Sequence, residues 1–262
     1  MNWFAGSSSS LKTQEVASTQ VSNDSIASLS WAPNGPYLAS TSWDGEARAY
    51  QVDPSSGRAE QKLTIKRQYP LLSSCWTSDG TKVLIGSADK ELSIWDIASN
   101  QFTKFGSHND SVSFIKSIPE HNLYVSGGWD GALHYHDLRS PNPVKSLNLN
   151  SPIIGLDVRK NAILVCLASL QMHAFMMPNV DQPVLSKRCS SIHLPRAVAL
   201  SNDLTFFVEA CIEGRCALHS LSNPSMDPFR FKCAHNPQMR ELYATNVVSF
   251  HPNPTGGYEG IF

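Results

Sequence analysis

Short runs of alternating apolar and polar residues recur along the chain, separated by turns. In the first unit these runs cover residues 26–33, 37–45 and 47–52. Alternation with a period of two residues predicts β-strands that bury one face. No amphipathic run of 10–15 residues separates the strands, so the pattern does not favour an α/β protein. We therefore expect an all-β fold.

The turn between the second and third runs is the feature that repeats most clearly. It recurs at intervals of about 40–45 residues, as Asp44-Gly45, Asp89-Lys90, Asp130-Gly131, a degenerate Leu170-Gln171 and Glu213-Gly214. Each unit holds three short strands and a longer segment with room for a fourth. The middle strands consist of small residues, which allow neighbouring sheets to pack closely. Four-stranded units of this period are typical of a WD-repeat β-propeller, because one unit cannot cover both of its faces alone.

Five such units are recognisable, and a sixth begins at residues 246–252. We expect an incomplete WD-repeat β-propeller over residues 24–262, truncated from a seven-blade ring. A flexible tail over residues 1–23, rich in Ser, Thr and Gln, is expected to precede it. Residues 11–16 within this tail are apolar enough to form an outer strand.

Composition narrows the function classes. The 21 basic and 22 acidic residues give a net charge of −1, so any surface for nucleic acid must be local. The six cysteines form no CxxC pair, which predicts mostly buried free thiols and a reducing, intracellular compartment. We find neither an 18-residue apolar run nor a basic start followed by an apolar stretch, and we expect no membrane insertion and no secretory signal.

Several strings resemble one branch of the WD-repeat proteins. The most specific are Ile212-Glu-Gly-Arg215, Phe229-Arg-Phe-Lys-Cys233, Leu242-Tyr-Ala-Thr-Asn246 and Phe250-His-Pro252, together with Ser42-Trp-Asp44 in the first unit. They are similar to the mRNA export factors that dock on a nucleoporin at the nuclear pore. The mitotic checkpoint WD-repeat protein is a close relative of that family. The resemblance covers about residues 11–252. It is weak in the fourth unit and departs at Cys216, where the family usually has valine.

The resemblance implies a non-enzymatic adaptor of the nucleus and nuclear pore that shuttles to the cytoplasm. Its implied partners are a nucleoporin segment, RNA, and mitotic or ubiquitin-pathway proteins, with no cofactor and no small-molecule substrate. A checkpoint scaffold that binds phosphorylated kinetochore peptides is the alternative. An enzyme would need carboxylates or metal ligands clustered at a central channel, and the sequence offers no such cluster.

Two tryptophans are candidates for partner binding. Trp43 and Trp129 precede the turn aspartates of the first and third units, at the end of a middle strand. An amphipathic ring at that position suits an interface anchor, and the resemblance implies contact with the nucleoporin segment. The alternative is that both rings fill gaps between blades. Trp31 and Trp76 alternate with apolar neighbours, and we expect them in the core.

A basic group forms the second candidate site. Arg215 follows the fifth turn, and Lys232 lies on the next long strand beside Phe231. A guanidinium and an ammonium together suit a carboxylate or a phosphate. The resemblance implies that these three residues form a groove for an acidic peptide or RNA. The alternative is an Arg215–Glu213 ion pair with a solvated Lys232.

The remaining candidates are structural. We expect Asp44, Asp89, Asp130, Glu213 and Gly214 to form the turns, and His108 to hydrogen-bond Asp130 instead of serving acid–base chemistry. His134 and His136 share one strand face, but no third ligand is indicated. We predict no metal site and no catalytic residue.

Overall fold

The computed structural model describes residues 22–233, the backbone of residues 235–236 and 241–242, and residues 243–250. Five antiparallel sheets follow one another along the chain, and each has four strands paired in sequence order. The all-β, WD-repeat expectation is confirmed. Residues 1–21 of the expected tail, with the outer strand at residues 11–16, lie outside the described residues, as do residues 251–262.

The first three sheets have the following strands. Sheet 1 consists of β1 (Ile26–Trp31), β2 (Tyr37–Ser42), β3 (Glu46–Val52) and β4 (Ala59–Lys66). Sheet 2 consists of β5 (Leu71–Trp76), β6 (Lys82–Ser87), β7 (Glu91–Asp96) and β8 (Gln101–Ser107). Sheet 3 consists of β9 (Val112–Ile118), β10 (Leu123–Gly128), β11 (Ala132–His136) and β12 (Lys145–Asn148), with a 3-10 turn at Pro119–His121 after β9.

The last two sheets repeat this order. Sheet 4 consists of β13 (Ile153–Arg159), β14 (Ala162–Leu167), β15 (Gln171–Met176) and β16 (Leu185–Arg188). Sheet 5 consists of β17 (Pro195–Leu200), β18 (Phe206–Cys211), β19 (Arg215–Ser220) and β20 (Phe229–Lys232). A separate two-stranded ribbon pairs β21 (His235–Asn236) with β22 (Glu241–Leu242). The longer segment of each unit therefore holds the fourth strand that the repeat pattern allows.

The first strands of the five sheets line a central channel. β1 packs beside β5, β5 beside β9, β9 beside β13, and β13 beside β17. These strands and residues 246–249 together surround a cavity of ≈ 620 Å³. Each sheet is therefore a blade that extends outward from the channel, with its fourth strand outermost.

The hydrophobic core is divided into clusters that lie between successive blades. Between sheets 2 and 3, for example, Leu84 and Leu92 of one sheet pack against Val112 and Ile115 of the next. The outer face of sheet 5 packs against Val248 and Phe250, where the sixth unit of the sequence begins. Hydrophobic burial therefore acts mainly between blades, and a single blade holds no complete core of its own.

Small residues on the middle strands allow this packing. On β6, a Cβ added to Gly86 would lie 2.8 Å from the backbone oxygen of Val112 on the next sheet. On β10, a Cβ added to Gly127 would lie 3.1 Å from the Ile153 side chain. The close approach of one sheet to the next is therefore built into the sequence of the middle strands.

Trp76 is buried as expected, and its indole Nε1 donates to the backbone oxygen of Ser30 at 2.8 Å. The expectation for Trp31 was wrong, because its side chain is 59% exposed. Trp31 shares the exposed face of β1 with Leu29, and in the described part of the chain no sheet covers that face. Alternation identifies the two faces of a strand, but burial depends on whether a neighbouring blade covers them.

The carboxylate side chains of the turns accept hydrogen bonds that fix the turn backbone. Asp44 accepts hydrogen bonds from Arg48 Nη2 and Glu46 N at 2.8 Å each, and from Ser22 Oγ at 2.9 Å. Burial alone would raise the pKa of Asp44, but these hydrogen bonds hold it well below its usual range. Asp89 accepts from the backbone N–H of Glu91 at 3.1 Å. These carboxylates are therefore anchors for the turns that follow them.

The third blade contains the His–Asp pair that the sequence indicates. His108 Nδ1 lies 3.1 Å from Asp130 Oδ1, and Asp130 also accepts from the backbone N–H groups of Asn109 and Ala132 at 2.8 and 3.0 Å. His108 Nε2 lies 2.8 Å from Ser126 Oγ, which lies 2.8 Å from His136 Nε2. This chain of hydrogen bonds connects the loop before β9 to β10 and β11.

The fourth turn lies one residue earlier than the sequence pattern places it. Gln171 is the first residue of β15, and Ser169-Leu170 forms the turn. Leu170 has φ +64°, which matches +75° at Gly131 and +64° at Gly214. Non-glycine residues seldom adopt this backbone conformation, so the leucine hid the equivalence.

Because the third blade contains three histidines of lowered pKa, we expect the protein to lose stability in acid. Burial lowers the pKa of His136 to about 3, and it also lowers the pKa of His108 and His134. A histidine whose pKa is lower in the folded than in the unfolded protein stabilises the fold fully at pH values above its unfolded pKa, near 6.5. This stabilisation is lost as the pH falls below that unfolded pKa. For His136 we expect a loss of about 2 kcal/mol in unfolding free energy between pH 7 and pH 5.

Urea unfolding at pH 7 and pH 5 checks this expectation. His136→Phe keeps a ring beside Phe105, which His136 contacts edge-on at 5.4 Å. The variant should lose less stability than the wild type over the same pH interval. An equal loss in both proteins would contradict the assignment to His136.

Candidate functional site

The turns between second and third strands emerge on one face of the ring, which we call the turn face. It contains Asp44-Gly45, Asp89-Lys90, Asp130-Gly131, Ser169-Leu170 and Glu213-Gly214. The residue before each turn donates its backbone N–H to a residue just ahead of the first strand. These bonds are Trp43→Ser25, Ala88→Pro70, Trp129→Ser111, Ala168→Pro152 and Ile212→Leu194, at 2.9–3.3 Å. The five positions are therefore structurally equivalent.

Large apolar side chains occupy three of these five equivalent positions. Trp43 is 49% exposed and Trp129 is 52% exposed, in sheets 1 and 3. Ile212 holds the position in sheet 5, and its backbone bonds to Leu194, whose side chain is also exposed. A ring that only filled a gap between blades would be buried, so this geometry suits an interface anchor better.

Ile212 was not selected from the sequence. Its position directly before the Glu213-Gly214 turn, equivalent to that of Trp43 and Trp129, was the available signal. Its side chain is 44% exposed, like those of the two tryptophans. The apolar surface of the turn face therefore extends over three blades.

The basic candidates lie on neighbouring strands of sheet 5. Arg215 is the first residue of β19 and pairs in register with Lys232, the last residue of β20. Phe231 directly precedes Lys232 on β20. A cavity of ≈ 600 Å³ lies against these residues and also contacts Arg230. We call Arg215, Arg230, Phe231 and Lys232 the sheet-5 groove.

Three cations characterise the sheet-5 groove, and an aromatic pair lies on the other face of β20. Arg215, Arg230 and Lys232 are exposed, and Phe231 stacks on Phe229 with ring centroids 5.9 Å apart. Like charges directly opposite each other in an antiparallel pair are destabilising. An anion between Arg215 and Lys232 would relieve that repulsion. Sequence reasoning missed Arg230, although alternation along the strand places Arg230 on the same face as Lys232.

Glu213 neutralises only part of this charge. Its Oε2 lies 3.5 Å from Arg215 Nε, and its Oε1 lies 2.8 Å from His193 Nε2. The Arg215–Glu213 contact is therefore present, but it is long, and Glu213 is shared with a second partner. Both of these Glu213 contacts are made with side chains, while Gly214 supplies the positive φ of the turn. Among the described residues, Lys232 has no ion-pair partner.

The structure places His108 and Asp130 beside His134, which the strand pattern alone does not indicate. His134 lies beside His108, with ring centroids 4.3 Å apart, and ligand atoms of His108, Asp130 and His134 lie within 4.8 Å of one another. Both His108 nitrogens and the Asp130 carboxylate already make hydrogen bonds within the blade. We interpret the cluster as part of the blade's internal network. Among the described residues, no helix has the length and hydrophobicity needed to cross a membrane.

A family model agrees with this architecture. The model described as "WD domain, G-beta repeat" matches residues 14–51, 61–96 and 99–137. These ranges contain nearly all of β1 to β11 and end before β12.

Relatives extend the match over nearly the whole chain. The Poly(A)+ RNA export protein of Schizosaccharomyces pombe is 29% identical over 262 residues, which cover 95% of this chain and 73% of that protein. The mRNA export factor of Danio rerio is 32% identical over 257 residues, covering 91% and 69%. The WD40 repeat protein poxJ of Penicillium oxalicum is 30% identical over 264 residues, covering 95% and 76%. The chain belongs to the WD40-repeat family of the mRNA export factors.

Proposed function

We propose that the protein is a non-enzymatic adaptor in mRNA export that docks on a nucleoporin through its turn face and binds RNA or acidic protein segments through the sheet-5 groove. The role in export is supported by the relatives that are named as export factors. The same relatives support a location in the nucleus and at the nuclear pore, with shuttling to the cytoplasm. Mitotic and ubiquitin-pathway proteins are further proposed partners.

The observation that carries the docking proposal is the exposure of Trp43 and Trp129 at equivalent positions of two blades. Aromatic anchors of this kind contribute much of the binding energy at protein interfaces, because their large apolar area is removed from water. The two rings lie on blades separated by sheet 2, where the equivalent residue is Ala88. An extended segment laid across the turn face can therefore contact both rings and pass over the alanine.

The groove supports the second half of the proposal. Phosphate oxygens accept hydrogen bonds from guanidinium and ammonium groups. Arg215, Arg230 and Lys232 provide the cations on one face of β19 and β20. Phe231 also contacts the cavity, but its ring faces the other side of β20 and packs against the core cluster that contains Cys216. Because the net charge of the chain is −1, attraction of RNA depends on this local surface.

The phosphorylated kinetochore peptide of a checkpoint scaffold remains the second candidate ligand. The Arg215–Lys232 pair favours a phosphate without specifying whether it belongs to RNA or to a peptide. Affinity purification of the full chain separates the two roles. Recovery of a checkpoint kinase in place of a nucleoporin would favour the scaffold.

Replacing the exposed tryptophans tests the docking face. We expect Trp43→Ala or Trp129→Ala to weaken binding to an immobilised nucleoporin by about 30-fold, as loss of an interface anchor of about 2 kcal/mol requires. Surface plasmon resonance measures this change. Trp31→Ala is the matched control, because Trp31 is equally exposed but lies on β1, away from the turns. Equal effects of all three substitutions would rule out a specific role for the turn face.

Charge reversal tests the groove. For Arg215→Glu combined with Lys232→Glu, we expect RNA affinity at low salt to fall by at least about 10-fold, and the salt dependence of log K to flatten by about 1.4, as loss of two phosphate contacts to a single strand implies. Fluorescence anisotropy with a labelled single-stranded RNA measures both. Arg58→Glu with Lys62→Glu makes the same charge change on the exposed outer side of sheet 1. Unchanged affinity in the groove variant would remove RNA from the proposal.

A further inference from the structure

Two cysteines meet beside the sheet-5 groove. Cys216 is the second residue of β19, and Cys233 directly follows the last residue of β20. Their sulfur atoms lie 3.2 Å apart. Cys216 is opposite Phe231 in the register, and Cys233 is two residues further along, so the three side chains share one face of the sheet. A disulfide bond is about 2.0 Å long, so the two sulfur atoms would have to approach each other by about 1.2 Å.

The two thiols differ in access to solvent. Cys233 is exposed, whereas Cys216 is only 3% exposed. Burial raises the pKa of the Cys216 thiol, and this keeps it in the protonated, less nucleophilic form. A dissolved oxidant therefore meets Cys233 first and finds Cys216 already in contact behind it.

Backbone hydrogen bonding holds the pair in position. The Cys233 N–H donates to the Gly214 oxygen at 2.9 Å, which extends the pairing of β19 and β20 by one residue. The Cys233 sulfur lies 3.4 Å from the same oxygen and 3.1 Å from Thr245 Oγ1. The sulfur of Cys233 is thus oriented toward the sheet and toward Cys216.

We propose that Cys216 and Cys233 form an oxidative modification site, at which hydrogen peroxide converts the two thiols into a disulfide. The sulfur of Cys233 attacks one peroxide oxygen, the O–O bond breaks, and a sulfenic acid and one water result. The sulfur of Cys216 then attacks the sulfenic sulfur of Cys233 and displaces hydroxide, which leaves as water with the Cys216 proton. Two electrons from the sulfurs reduce one peroxide to two waters.

A second cysteine pair provides an internal comparison. The sulfur atoms of Cys166 and Cys189 lie 3.6 Å apart, but both residues are buried between sheets 4 and 5. Proximity is similar in the two pairs, and only the Cys216–Cys233 pair has an exposed member. If exposure of one thiol determines the site, peroxide should oxidise this pair first.

The new bond would cross-link the two strands that carry the groove. Arg215 and Lys232 are the neighbours of Cys216 and Cys233 along the chain. A covalent bridge at this point fixes the end of β20 against β19. Oxidation of these thiols does not require RNA or a nucleoporin, so its test is independent of the tests of the proposed function.

Peptide mapping by mass spectrometry tests the proposal on the full folded chain. The reduced protein is exposed to hydrogen peroxide, quenched, unfolded and alkylated before digestion. We expect a cross-linked peptide containing Cys216 and Cys233, lighter than its two free peptides by two hydrogen atoms. Cys166 and Cys189 should be recovered as alkylated thiols. Treatment with a reductant should restore alkylation of Cys216 and Cys233.

Two variants keep the test decisive. In Cys216→Val, which retains an apolar side chain at the buried position, Cys233 should proceed to sulfinic or sulfonic acid because its resolving thiol is absent. In Cys233→Ser, Cys216 should remain an alkylatable thiol. The proposal is overturned if wild-type Cys233 is over-oxidised, or links two chains, while Cys216 stays free.

Discussion

Contact between the small-residue middle strand of one blade and the first strand of the next is the constraint on which the rest of the structure depends. A blade has two faces, and hydrophobic burial requires that both be covered. Gly86 and Gly127 remove the side chains that would keep neighbouring sheets apart, and Val112 and Ile153 occupy the space they leave. The repetition of this contact places the first strands around the channel and the fourth strands at the periphery.

The candidate binding surfaces follow from that arrangement. Because every blade has the same strand order, the turns that follow the second strands reach one face, although they are far apart in the chain. Positions just before these turns are not needed for packing between blades, so Trp43, Trp129 and Ile212 can remain exposed without weakening the core. The sheet-5 groove likewise uses outer-strand residues such as Lys232, which the core does not require. The proposed binding surfaces and the packing between blades thus use largely different residues.

The fold was largely predictable from the sequence, whereas the site was predictable only in part. The repeat period indicates a propeller because each four-stranded unit needs a neighbouring unit to bury each of its two faces. Trp31 was placed wrongly because its burial depends on a neighbouring blade and not on its own strand. The fourth turn was shifted because Leu170 adopts a positive φ that its residue type does not announce. Arg215 and Lys232 were named as candidates from the sequence, whereas Arg230 and Ile212 became candidates only through the strand register and the equivalence between blades.

The unfolding free energy of Gly86→Ala, measured by urea denaturation against Gly106→Ala, tests this account most directly. An added Cβ at Gly86 meets Ser73 Oγ at 2.7 Å and the backbone oxygen of Val112 on the next sheet at 2.8 Å. At Gly106, on outer strand β8, its nearest contact is the end of the Leu92 side chain at 3.3 Å. We predict that Gly86→Ala costs about 1–3 kcal/mol, as overpacking does, and that Gly106→Ala is neutral or slightly stabilising. Equal stability of the two variants would contradict the claim that contact between blades determines the fold.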